Sequence, residues 1–508
     1  MTASVTTALA DAEGMSLARL VGVLANVDAK LIGSPEVRVI DVSEDSRQIC
    51  PGALFVARDG GQVRGTDLTP QALASGASAV MMQRGTGWRE SIPVPVIEVR
   101  DVALALGIAS EAVHGYPTSH LSLTGITGTN GKTTTAVLVE QALIAAARKP
   151  ALLGTLGSAF NGEQIAGKLT TPPADEISRF AHRVLQRGGT DLVMEVSSHA
   201  LALGRVDALR FEVAAFTNLT QDHLDFHGTM DAYAAHKRRL FSELKPEISV
   251  INTEGEWGRS FAATARSSRV LRVGRSVDVD VRPVDVTLDA RGLRGDVLVA
   301  GKTVELVTNL VGAHNLENIL VALGILAGLG VDASTAAQAW REVRVPGRLE
   351  RCDSPADDIT VLVDYAHTPD ALGRVLATCR RATTGRLICV FGCGGDRDPL
   401  KRSLMGSVVA ELADRIVVTN DNPRTEDPAR ILSDIERGLA GHQTEYQVLL
   451  DRSEAIRRAV GEARGGDLVL IAGKGHEPYQ IIGTTRTPFD DRVEARRALL
   501  LRREVKAS

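Results

Sequence analysis

A glycine-rich turn that carries one lysine and several threonines is the strongest chemical signal in the sequence. It reads GITGTNGKTTT, from Gly125 to Thr135, between the apolar segment LSLTGIT and a helical pattern that begins AVLVEQAL. Backbone amides of such a turn can hold phosphate, the ammonium of Lys132 can reach the terminal phosphates, and the Thr133 hydroxyl can bind Mg²⁺. The strict Walker spacing fails by one residue, because Ile126 stands where its first glycine belongs. A turn without a ligand is the less favoured alternative, so the motif predicts ATP binding.

Glu195, His223 and Lys237 lie in later segments whose polar side chains suit a phosphate and metal site. Glu195 ends the strand pattern DLVME, where a carboxylate can bind a metal ion held by phosphates. His223 lies in the segment FTNLTQDHLDFHGT, and Lys237 lies in the helical pattern DAYAAHKRRLF. So dense a polar stretch is costly near a core unless it binds something. Taken singly, a solvated Glu195, a structural His223 and a solvated Lys237 are the commoner alternatives.

Amide side chains open a further helical pattern, VGAHNLENILVAL. The pattern brings His314, Asn315 and Asn318 to the start of one helix. Amides at that position either cap the helix or contact a nucleotide base. The sequence leaves both interpretations open.

The composition is that of an ordinary folded protein and excludes several classes. The 508 residues include 58 basic and 62 acidic side chains, with a net charge of −4 and 44% hydrophobic residues, which gives no sign of nucleic-acid binding. The five cysteines are sparse and lack the spacing of metal ligands. We therefore expect reduced thiols and no zinc site. The N-terminus lacks the pattern of a signal peptide, and the longest apolar run is too short to span a bilayer. We expect a cytoplasmic protein without a membrane span.

Alternating strand and helix patterns predict an α/β fold, and the length predicts about three domains. The breaker HGYPTSH and the proline at 346 set the expected boundaries, at residues 1–119, 120–345 and 346–508. A helix is expected from Ala333 to Arg344. The last part repeats strand patterns at 359–364, 386–391, 415–419, 447–450 and 467–471. This rhythm predicts a parallel, doubly wound sheet, whose ligands bind at the carboxyl ends of the strands.

Ten motifs, in one order along the chain, together resemble the Mur ligase family of bacterial cell-wall synthesis. They are GTNGKTT, MEVSSHAL, NLTQDHLDFHG, YAAHKRRLF, GAHNLENI, VPGRLER, DYAHTPDAL, GCGGDRDPLKR, DNPRTEDP and AGKGHE. The resemblance runs from about Val37 to Glu477, and the family's own glycine spacing explains the departure from the Walker pattern. It implies an N-terminal UDP-binding domain, a central P-loop ATPase domain with a parallel-rich sheet, and a C-terminal Rossmann-like domain.

The resemblance also implies an activity, its cofactors and its partners. The motifs are most similar to the members that use ATP and Mg²⁺ to add meso-2,6-diaminopimelate to UDP-N-acetylmuramoyl-L-alanyl-D-glutamate. The reaction passes through an acyl phosphate and belongs to peptidoglycan precursor synthesis. A monomer without nucleic-acid partners is expected.

Site residues follow from the resemblance position by position. ATP would contact Gly128, Thr129, Asn130, Gly131, Lys132, Thr133, Thr134, Asn315, Arg348 and Asp364. The metal would lie near Thr133, Glu195, His223 and Lys237, with Lys132, His223 and Lys237 in catalytic roles and Lys237 carbamylated. The UDP substrate would contact Ser46, Gln62, Thr170, Thr171, Ser197 and Arg205. Diaminopimelate would contact Arg397, Asp421, Asn422, Arg424, Gly473 and Glu477. The family often has a histidine before Gln62, and Gly61 stands there instead.

The DNPR segment at 421–424 carries the expected choice of amino acid. Meso-diaminopimelate differs from lysine by one carboxylate, and the guanidinium of Arg424 could bind that group with two parallel hydrogen bonds. For Asp421 and Asn422, a solvated turn that caps the next helix is an equal alternative. A lysine-adding Mur ligase, a folylpolyglutamate synthetase-like ligase and an inactive ATP-binding scaffold are the competing functions.

Overall fold

The strands form three large sheets, one in each third of the chain. The computed structural model describes residues 14–60, 63–86, 92–289 and 292–507. The first sheet has five strands, the second eleven and the third six, and two further pairs of strands form small ribbons. No helix within these ranges is long and apolar enough to cross a membrane. The predicted α/β class is confirmed.

The first sheet follows the order β2-β7-β6-β5-β4, in which β4 to β7 are parallel and β2 is antiparallel at the edge. Strands β1 and β3 pair separately. Strands β3 and β4 are separate, because Ile40 between them turns to solvent and its amide donates to Gly52 O. The elements are β1 (Met15–Ser16), α1 (Leu17–Val23), β2 (Lys30–Ile32), β3 (Arg38–Val39), β4 (Asp41–Ser43), β5 (Ala53–Ala57), α2 (Thr69–Ala74), β6 (Ala79–Gln83), β7 (Val96–Val99) and α3 (Val102–Val113).

The second sheet has a parallel centre in the order β9-β12-β8-β13-β14-β15-β16, and antiparallel strands extend both of its edges. Its strands are β8 (Ser122–Thr127), β9 (Pro150–Gly154), β10 (Gly157–Phe160), β11 (Glu163–Ile165), β12 (Asp191–Glu195), β13 (Val213–Phe216), β14 (Ile248–Asn252), β15 (Arg269–Val273), β16 (Val281–Asp289), β17 (Gly292–Val299) and β18 (Lys302–Thr308). Its helices are α4 (Lys132–Ala145), α5 (Ala174–Gln186), α6 (Ser198–Ala202), α7 (Leu224–His227), α8 (Met230–Ser242), α9 (Glu256–Thr264), α10 (Ala313–Gly328) and α11 (Ala333–Ala339).

Helices cover both faces of this second sheet, which explains why its central strands are mostly apolar. In β12, Val193 packs in the core with α4 and α10, whereas Leu192 and Met194 pack in the core with α5 and α8. Strand β8 lies at the centre and runs directly into the glycine-rich turn. The glycine-rich turn therefore follows directly from a central, buried strand of the sheet.

The third sheet follows the order β19-β20-β24-β21-β22-β23, in which the last five strands are parallel. Cys389 packs with α12, α13 and α14 on one face, and Ile388 packs with α15 and α16 on the other, so the predicted doubly wound sheet is confirmed. The elements are β19 (Glu350–Arg351), β20 (Thr360–Asp364), α12 (Pro369–Ala382), β21 (Leu387–Phe391), α13 (Leu400–Leu412), β22 (Arg415–Thr419), α14 (Pro428–Leu439), β23 (Glu445–Leu449), α15 (Arg452–Glu462), β24 (Leu468–Ala472), β25 (Tyr479–Ile482), β26 (Thr485–Pro488) and α16 (Asp491–Ala507).

The helix predicted from Ala333 to Arg344 is wrong in its second half. Helix α11 ends at Ala339, five residues early. Trp340 is fully buried and donates from its indole nitrogen to Leu138 O at 2.9 Å. Val343 and Val345 in the following turn pack in the same core as Trp340. Their spacing in the sequence therefore resembles that of a helix, although the chain is not helical there.

Candidate active site

The glycine-rich turn after β8 has the backbone geometry of a phosphate cradle. Gly128 and Gly131 have φ angles of +152° and +87°. A Cβ atom would lie 1.9 Å from Thr217 Oγ1 at the first position and 2.1 Å from Asn318 Oδ1 at the second. Only glycine fits such close approaches in this backbone region. Because Gly131 offers no side-chain cap, the N-terminal amides of α4 are left to bind an anion.

A cavity of about 300 Å³ opens in front of this turn, and many of the predicted site residues line it. Those present are Thr129, Asn130, Gly131, Lys132, Thr133, Thr134, Thr170, Glu195, His223, Asn315, Arg348 and Asp364. Residues from both the second and the third part of the chain therefore share one site.

Glu195 is buried at the end of β12, so the solvated alternative is wrong. Its side chain accepts hydrogen bonds from Thr133 Oγ1 at 2.9 Å and from Thr155 N at 2.8 Å. Gly154 makes room for it, since a Cβ there would lie 2.3 Å from Glu195 Oε1. The carboxylate thus stands beside the first turn of α4, next to the phosphate cradle.

Two lysines converge on one carbonyl oxygen of the turn. Lys132 Nζ donates to Gly128 O and Thr129 O, both at 2.9 Å, and Lys237 Nζ donates to Gly128 O at 2.8 Å. Lys237 is 1% exposed and lies over the ring of Tyr233. Burial, together with the nearby charge of Lys132, holds the pKa of Lys237 well below its ordinary value. Burial also lowers the pKa of Lys132, against the opposing effect of Glu195.

His223 reaches the same cavity from the start of α7. Its backbone has a φ of +54°, and its ring meets the edge of His199 at a centroid distance of 4.8 Å. Burial lowers the pKa of His223, and Asp222 opposes that effect. A neutral imidazole therefore faces the cavity near neutral pH.

Asn315 and Asn318 bind each other and the chain before α10, so the capping interpretation is wrong for both. Asn315 Nδ2 donates to Val311 O at 2.9 Å, and Asn318 Nδ2 donates to Asn315 Oδ1 at 3.1 Å. The residue that precedes the helix is Gly312, which has no side chain to act as a cap. His314 lies in the same turn, where burial lowers its pKa to about 4.

Arg348 joins the third sheet to the phosphate cradle. Its Nη2 donates to Thr133 Oγ1 at 3.3 Å, and its guanidinium stacks on Tyr365 at 4.7 Å. The buried Nε of Arg348 has no hydrogen-bond partner among the described residues. Asp364, at the end of β20, accepts amide hydrogen bonds from Leu349 and Ala366, each at 2.7 Å. Burial raises the pKa of Asp364, and Arg348 opposes that effect.

The turns after β22 and β24 form a second cluster of predicted site residues. Asn422 Nδ2 donates to Glu477 Oε2 at 2.9 Å, and Asn422 Oδ1 accepts from Lys474 Nζ at 2.9 Å. A Cβ at Gly473 would lie 2.5 Å from Asp421 Oδ2. Sequence reasoning missed Lys474, whose side chain is fully buried, although the AGKGHE motif contains it.

Arg424 and Arg397 both lie close to Gly394, next to Asn422 of this cluster. Arg424 has a φ of +53°, and its Nη1 donates to Gly395 O at 2.6 Å. Arg397 is exposed and donates to Asp396 O. The cap of the next helix, α14, is Asp427, so the capping interpretation of DNPR is wrong.

Four residues predicted to contact the UDP substrate lie together near the end of β12. Thr171 Oγ1 donates to Glu195 O at 2.8 Å and accepts from Ser197 N at 2.9 Å. Arg205 Nη1 donates to Thr171 O at 2.8 Å, and Thr170 Oγ1 lies 3.2 Å from Thr155 Oγ1.

The two remaining residues of that prediction belong to the first part of the chain. Ser46 is buried there and donates to Gln71 Oε1 at 2.9 Å. Gln62, with Gly61, lies outside the described residues. Asp45 and Arg47, on either side of Ser46, line a cavity of about 370 Å³ together with residues 165–169.

These features define a nucleotide-binding α/β enzyme in which a phosphate-binding turn faces the carboxyl edge of another parallel sheet. Three family models match the chain: the Mur ligase catalytic domain at 40–114, the Mur ligase middle domain at 126–326 and the Mur ligase glutamate ligase domain at 347–475. The chain therefore belongs to the Mur ligase family of ATP-dependent ligases.

Curated relatives match along nearly the whole chain. The UDP-N-acetylmuramoyl-L-alanyl-D-glutamate–2,6-diaminopimelate ligase of Gloeobacter violaceus is 44% identical, over 96% of this chain and 99% of its own length. The ligase of the same name from Solibacter usitatus is 42% identical, over 91% of this chain and 94% of its own length.

Solved structures of two enzymes share the fold. A structure of a UDP-N-acetylmuramoyl-L-alanyl-D-glutamate–2,6-diaminopimelate ligase is 31% identical with a TM-score of 0.69, and covers 96% of this chain and 99% of that one. Folylpolyglutamate synthase of Mycobacterium tuberculosis, complexed with ADP and AMPPCP, is 18% identical with a TM-score of 0.60, and covers 73% of this chain and 92% of that one. The latter likeness shows the fold alone.

Proposed function

We propose that this protein is the ATP-dependent amide ligase that joins meso-2,6-diaminopimelate to UDP-N-acetylmuramoyl-L-alanyl-D-glutamate in peptidoglycan precursor synthesis. The observation that carries the proposal is the contact between Arg348 and Thr133, which brings the third sheet to the phosphate cradle. Tyr365 of the third sheet lines both the nucleotide cavity and the neighbouring crevice that Glu477 lines, which supports the meeting of an activated acid with an amine there. The names of the curated relatives support the choice of substrates.

The chemical problem is that a free carboxylate is a poor electrophile. Transfer of the γ-phosphoryl group of ATP to that carboxylate breaks the bond to ADP and forms an acyl phosphate. The uncharged amine of diaminopimelate then attacks the acyl carbon, and the tetrahedral intermediate releases phosphate as the amide forms. One proton leaves the nitrogen in this step.

The phosphates of ATP would lie on the amides from Gly128 to Thr134, with Lys132 as their principal cation. Asn315, Arg348 and Asp364 would face the rest of the nucleotide. The unpaired Nε of Arg348 supports this assignment, since a buried donor without a partner is costly unless a ligand satisfies it.

Mg²⁺ fits the oxygen donors of the site. Thr133 Oγ1 and Glu195 Oε1 lie 2.9 Å apart beside α4, and hard cations prefer such donors. Among the described residues, no group of three or more His, Cys, Asp and Glu side chains is arranged to hold a metal ion. When bound, Mg²⁺ would neutralise the charge of the phosphates and of the acid that they activate. His223 and the carbamate of Lys237 complete the proposed set of metal-binding residues.

The UDP substrate would contact Ser46 and Gln62 with its nucleotide part, and Thr170, Thr171, Ser197 and Arg205 with its peptide part. Diaminopimelate would contact Arg397, Asp421, Asn422, Arg424, Gly473 and Glu477. We further propose domain boundaries at residues 119/120 and 345/346; these fall between the last strand of one sheet and the first strand of the next. A cytoplasmic location and a monomeric state stay predictions.

One experiment distinguishes this function from two alternatives, a lysine-adding Mur ligase and a folylpolyglutamate synthetase-like ligase. Phosphate release is measured with purified protein, ATP and UDP-N-acetylmuramoyl-L-alanyl-D-glutamate, to which either meso-diaminopimelate or L-lysine is added. A separate reaction contains a folate and L-glutamate in place of the UDP substrate and the amino acid. We expect turnover with meso-diaminopimelate alone. Preference for lysine would support the lysine-adding ligase, and turnover with a folate and glutamate in place of the UDP substrate would support the folylpolyglutamate synthetase-like ligase.

A further inference from the structure

A second crevice lies directly beside the nucleotide cavity. It has a volume of about 430 Å³ and lies between the loop after β9 and the segment after β24. Thr155, Thr170 and Tyr365 line both spaces, so the two are continuous. Tyr479 and Arg486 line the crevice near Glu477 and have no role in the sites proposed above.

Arg486 is a cation of this crevice whose charge is not compensated by the protein. Its neighbour Arg492 is paired with Asp490 at 2.6 Å and with Glu350 at 3.5 Å. In contrast, no carboxylate of the described residues lies within ion-pair distance of Arg486. A guanidinium that lines a crevice without a counter-charge favours the binding of an anion there.

Tyr479 holds this guanidinium in place. The Cζ atom of Arg486 lies 3.5 Å from the centroid of the Tyr479 ring, on the neighbouring strand of the β25–β26 hairpin. Stacking occupies the flat faces of a guanidinium and leaves its in-plane N–H donors available. A stacked arginine is also restricted in its rotamers, so less conformational entropy is lost when it binds a carboxylate.

Other groups around the ring complete a site for a charged amino-acid group. Glu477 lines the same crevice and offers an acceptor for an ammonium group. Burial and the charge of Glu477 raise the pKa of Tyr479, while Arg486 and Arg424 act in the opposite direction. The phenol therefore remains uncharged at neutral pH and adds no negative charge beside Arg486.

We propose that Arg486, stacked on Tyr479, binds a substrate carboxylate in this crevice. The inference rests on the proposed function, since both reaction partners carry free carboxylates. One source is diaminopimelate, and the other is the glutamyl residue of the UDP substrate. In either case Arg486 contributes to the binding of that substrate, in addition to the contacts assigned to Arg424.

The test measures the KM of each substrate separately in the full-length enzyme. Arg486→Gln keeps a polar side chain but loses the charge, and Arg497→Gln, an exposed position on α16, is its matched control. We expect Arg486→Gln to raise one KM by about 10-fold or more, with the KM for ATP unchanged and kcat within about 2-fold. A rise for diaminopimelate identifies that amino acid as the source of the carboxylate, and a rise for the UDP substrate identifies the glutamyl residue.

Variants of Tyr479 test whether stacking on its ring, rather than the folding of the β25–β26 hairpin in general, supports the binding of the carboxylate by Arg486. Tyr479→Phe keeps the stacking surface and should leave that KM near the wild-type value, whereas Tyr479→Leu should raise it. Unchanged KM values for both substrates in Arg486→Gln would overturn the role of Arg486 while the proposed function stands. An inactive wild type with these substrates would overturn the proposed function itself, and with it this inference.

Discussion

Asn422 Nδ2 donates to Glu477 Oε2 across 2.9 Å, and this contact joins the turn after β22 to the turn after β24. The amide orientation is fixed, because Asn422 Oδ1 accepts from both Lys474 Nζ and Ile481 N. The side chain of Asn422 therefore forms its hydrogen bonds with other residues of the protein and positions Glu477. Glu477 is left as the group of this pair that can bind the ammonium of an amino acid.

Lys132→Ala should reduce turnover by at least ~100-fold, because the terminal phosphates lose their principal cation in the transition state. Phosphate release at saturating substrates measures the effect. Lys149→Ala, an exposed lysine shortly after α4, is the control and should behave as the wild type. Near-normal turnover of Lys132→Ala would contradict the assignment of the turn to ATP.

Lys237→Ala should abolish most activity, and small carboxylic acids should restore part of it. Burial and the charge of Lys132 hold the pKa of Lys237 well below its ordinary value, which favours the uncharged amine that can react with carbon dioxide. An ammonium would repel Mg²⁺, whereas a carbamate is an anion that can bind it.

Added acetate or formate tests this directly in the phosphate-release assay. The same acids should not restore Lys132→Ala, whose missing group is a cation. Full activity of Lys237→Ala without added acid would remove the carbamate from the proposal.

The parts of the site that were predictable depend on short stretches of sequence. The turn from Gly125 to Thr135 and the helix start at Lys132 follow from glycine spacing and an apolar strand, which are local properties. Strand ends were likewise accurate to one or two residues in the doubly wound sheet, because its apolar runs are short and separated by turn residues. The motif resemblance supplied the members of the site that lie far apart in sequence.

The parts that were not predictable depend on tertiary packing. Trp340 ends a helix early, because its indole packs on α4 and binds Leu138 O. Lys474 was missed, since a lysine in a glycine-rich turn is normally solvated and only the fold buries it. Whether Arg486 forms an ion pair depends on which carboxylates the fold brings within reach of its guanidinium. No pattern in the sequence predicts this.

Asp175 should make stability depend on pH between about 4 and 6. It lies at the start of α5, where its Oδ2 accepts from Ser43 Oγ on β4, and its buried Oδ1 has no hydrogen-bond partner in the part of the chain that the structure describes. Burial, with Glu44 and Glu176, raises its pKa from 3.8 to about 6, against the effect of Arg179. The folded state therefore binds the proton more tightly, and this contribution to stability is lost as the pH rises through the window.

Asp175→Asn removes that titration. The free energy of unfolding of the variant, relative to that of the wild type, should increase from pH 4 to pH 6.5 by up to about 3 kcal/mol and then stay constant. Thermal unfolding at each pH measures this difference. Asp67→Asn, at an exposed position, should show no such trend. A constant difference at every pH would mean that Asp175 is ionised throughout.

Arg424 should select meso-diaminopimelate over lysine. Its left-handed backbone and the hydrogen bond from Nη1 to Gly395 O hold the guanidinium in one place, with further N–H donors left for a carboxylate. Lysine would leave those donors desolvated and unpaired. A site built for a polar group rejects an analogue that lacks it by a large factor, on the order of 10⁴.

Arg424→Gln should therefore raise the KM for meso-diaminopimelate by about 100-fold or more, and leave the KM values for ATP and the UDP substrate nearly unchanged. The selectivity for meso-diaminopimelate should fall in parallel, because lysine loses no contact in the variant. Arg430→Gln, an exposed arginine on α14, is the control and should keep both values. If the wild type adds lysine as efficiently as meso-diaminopimelate, Arg424 does not select the amino acid, and a different residue must carry the discrimination.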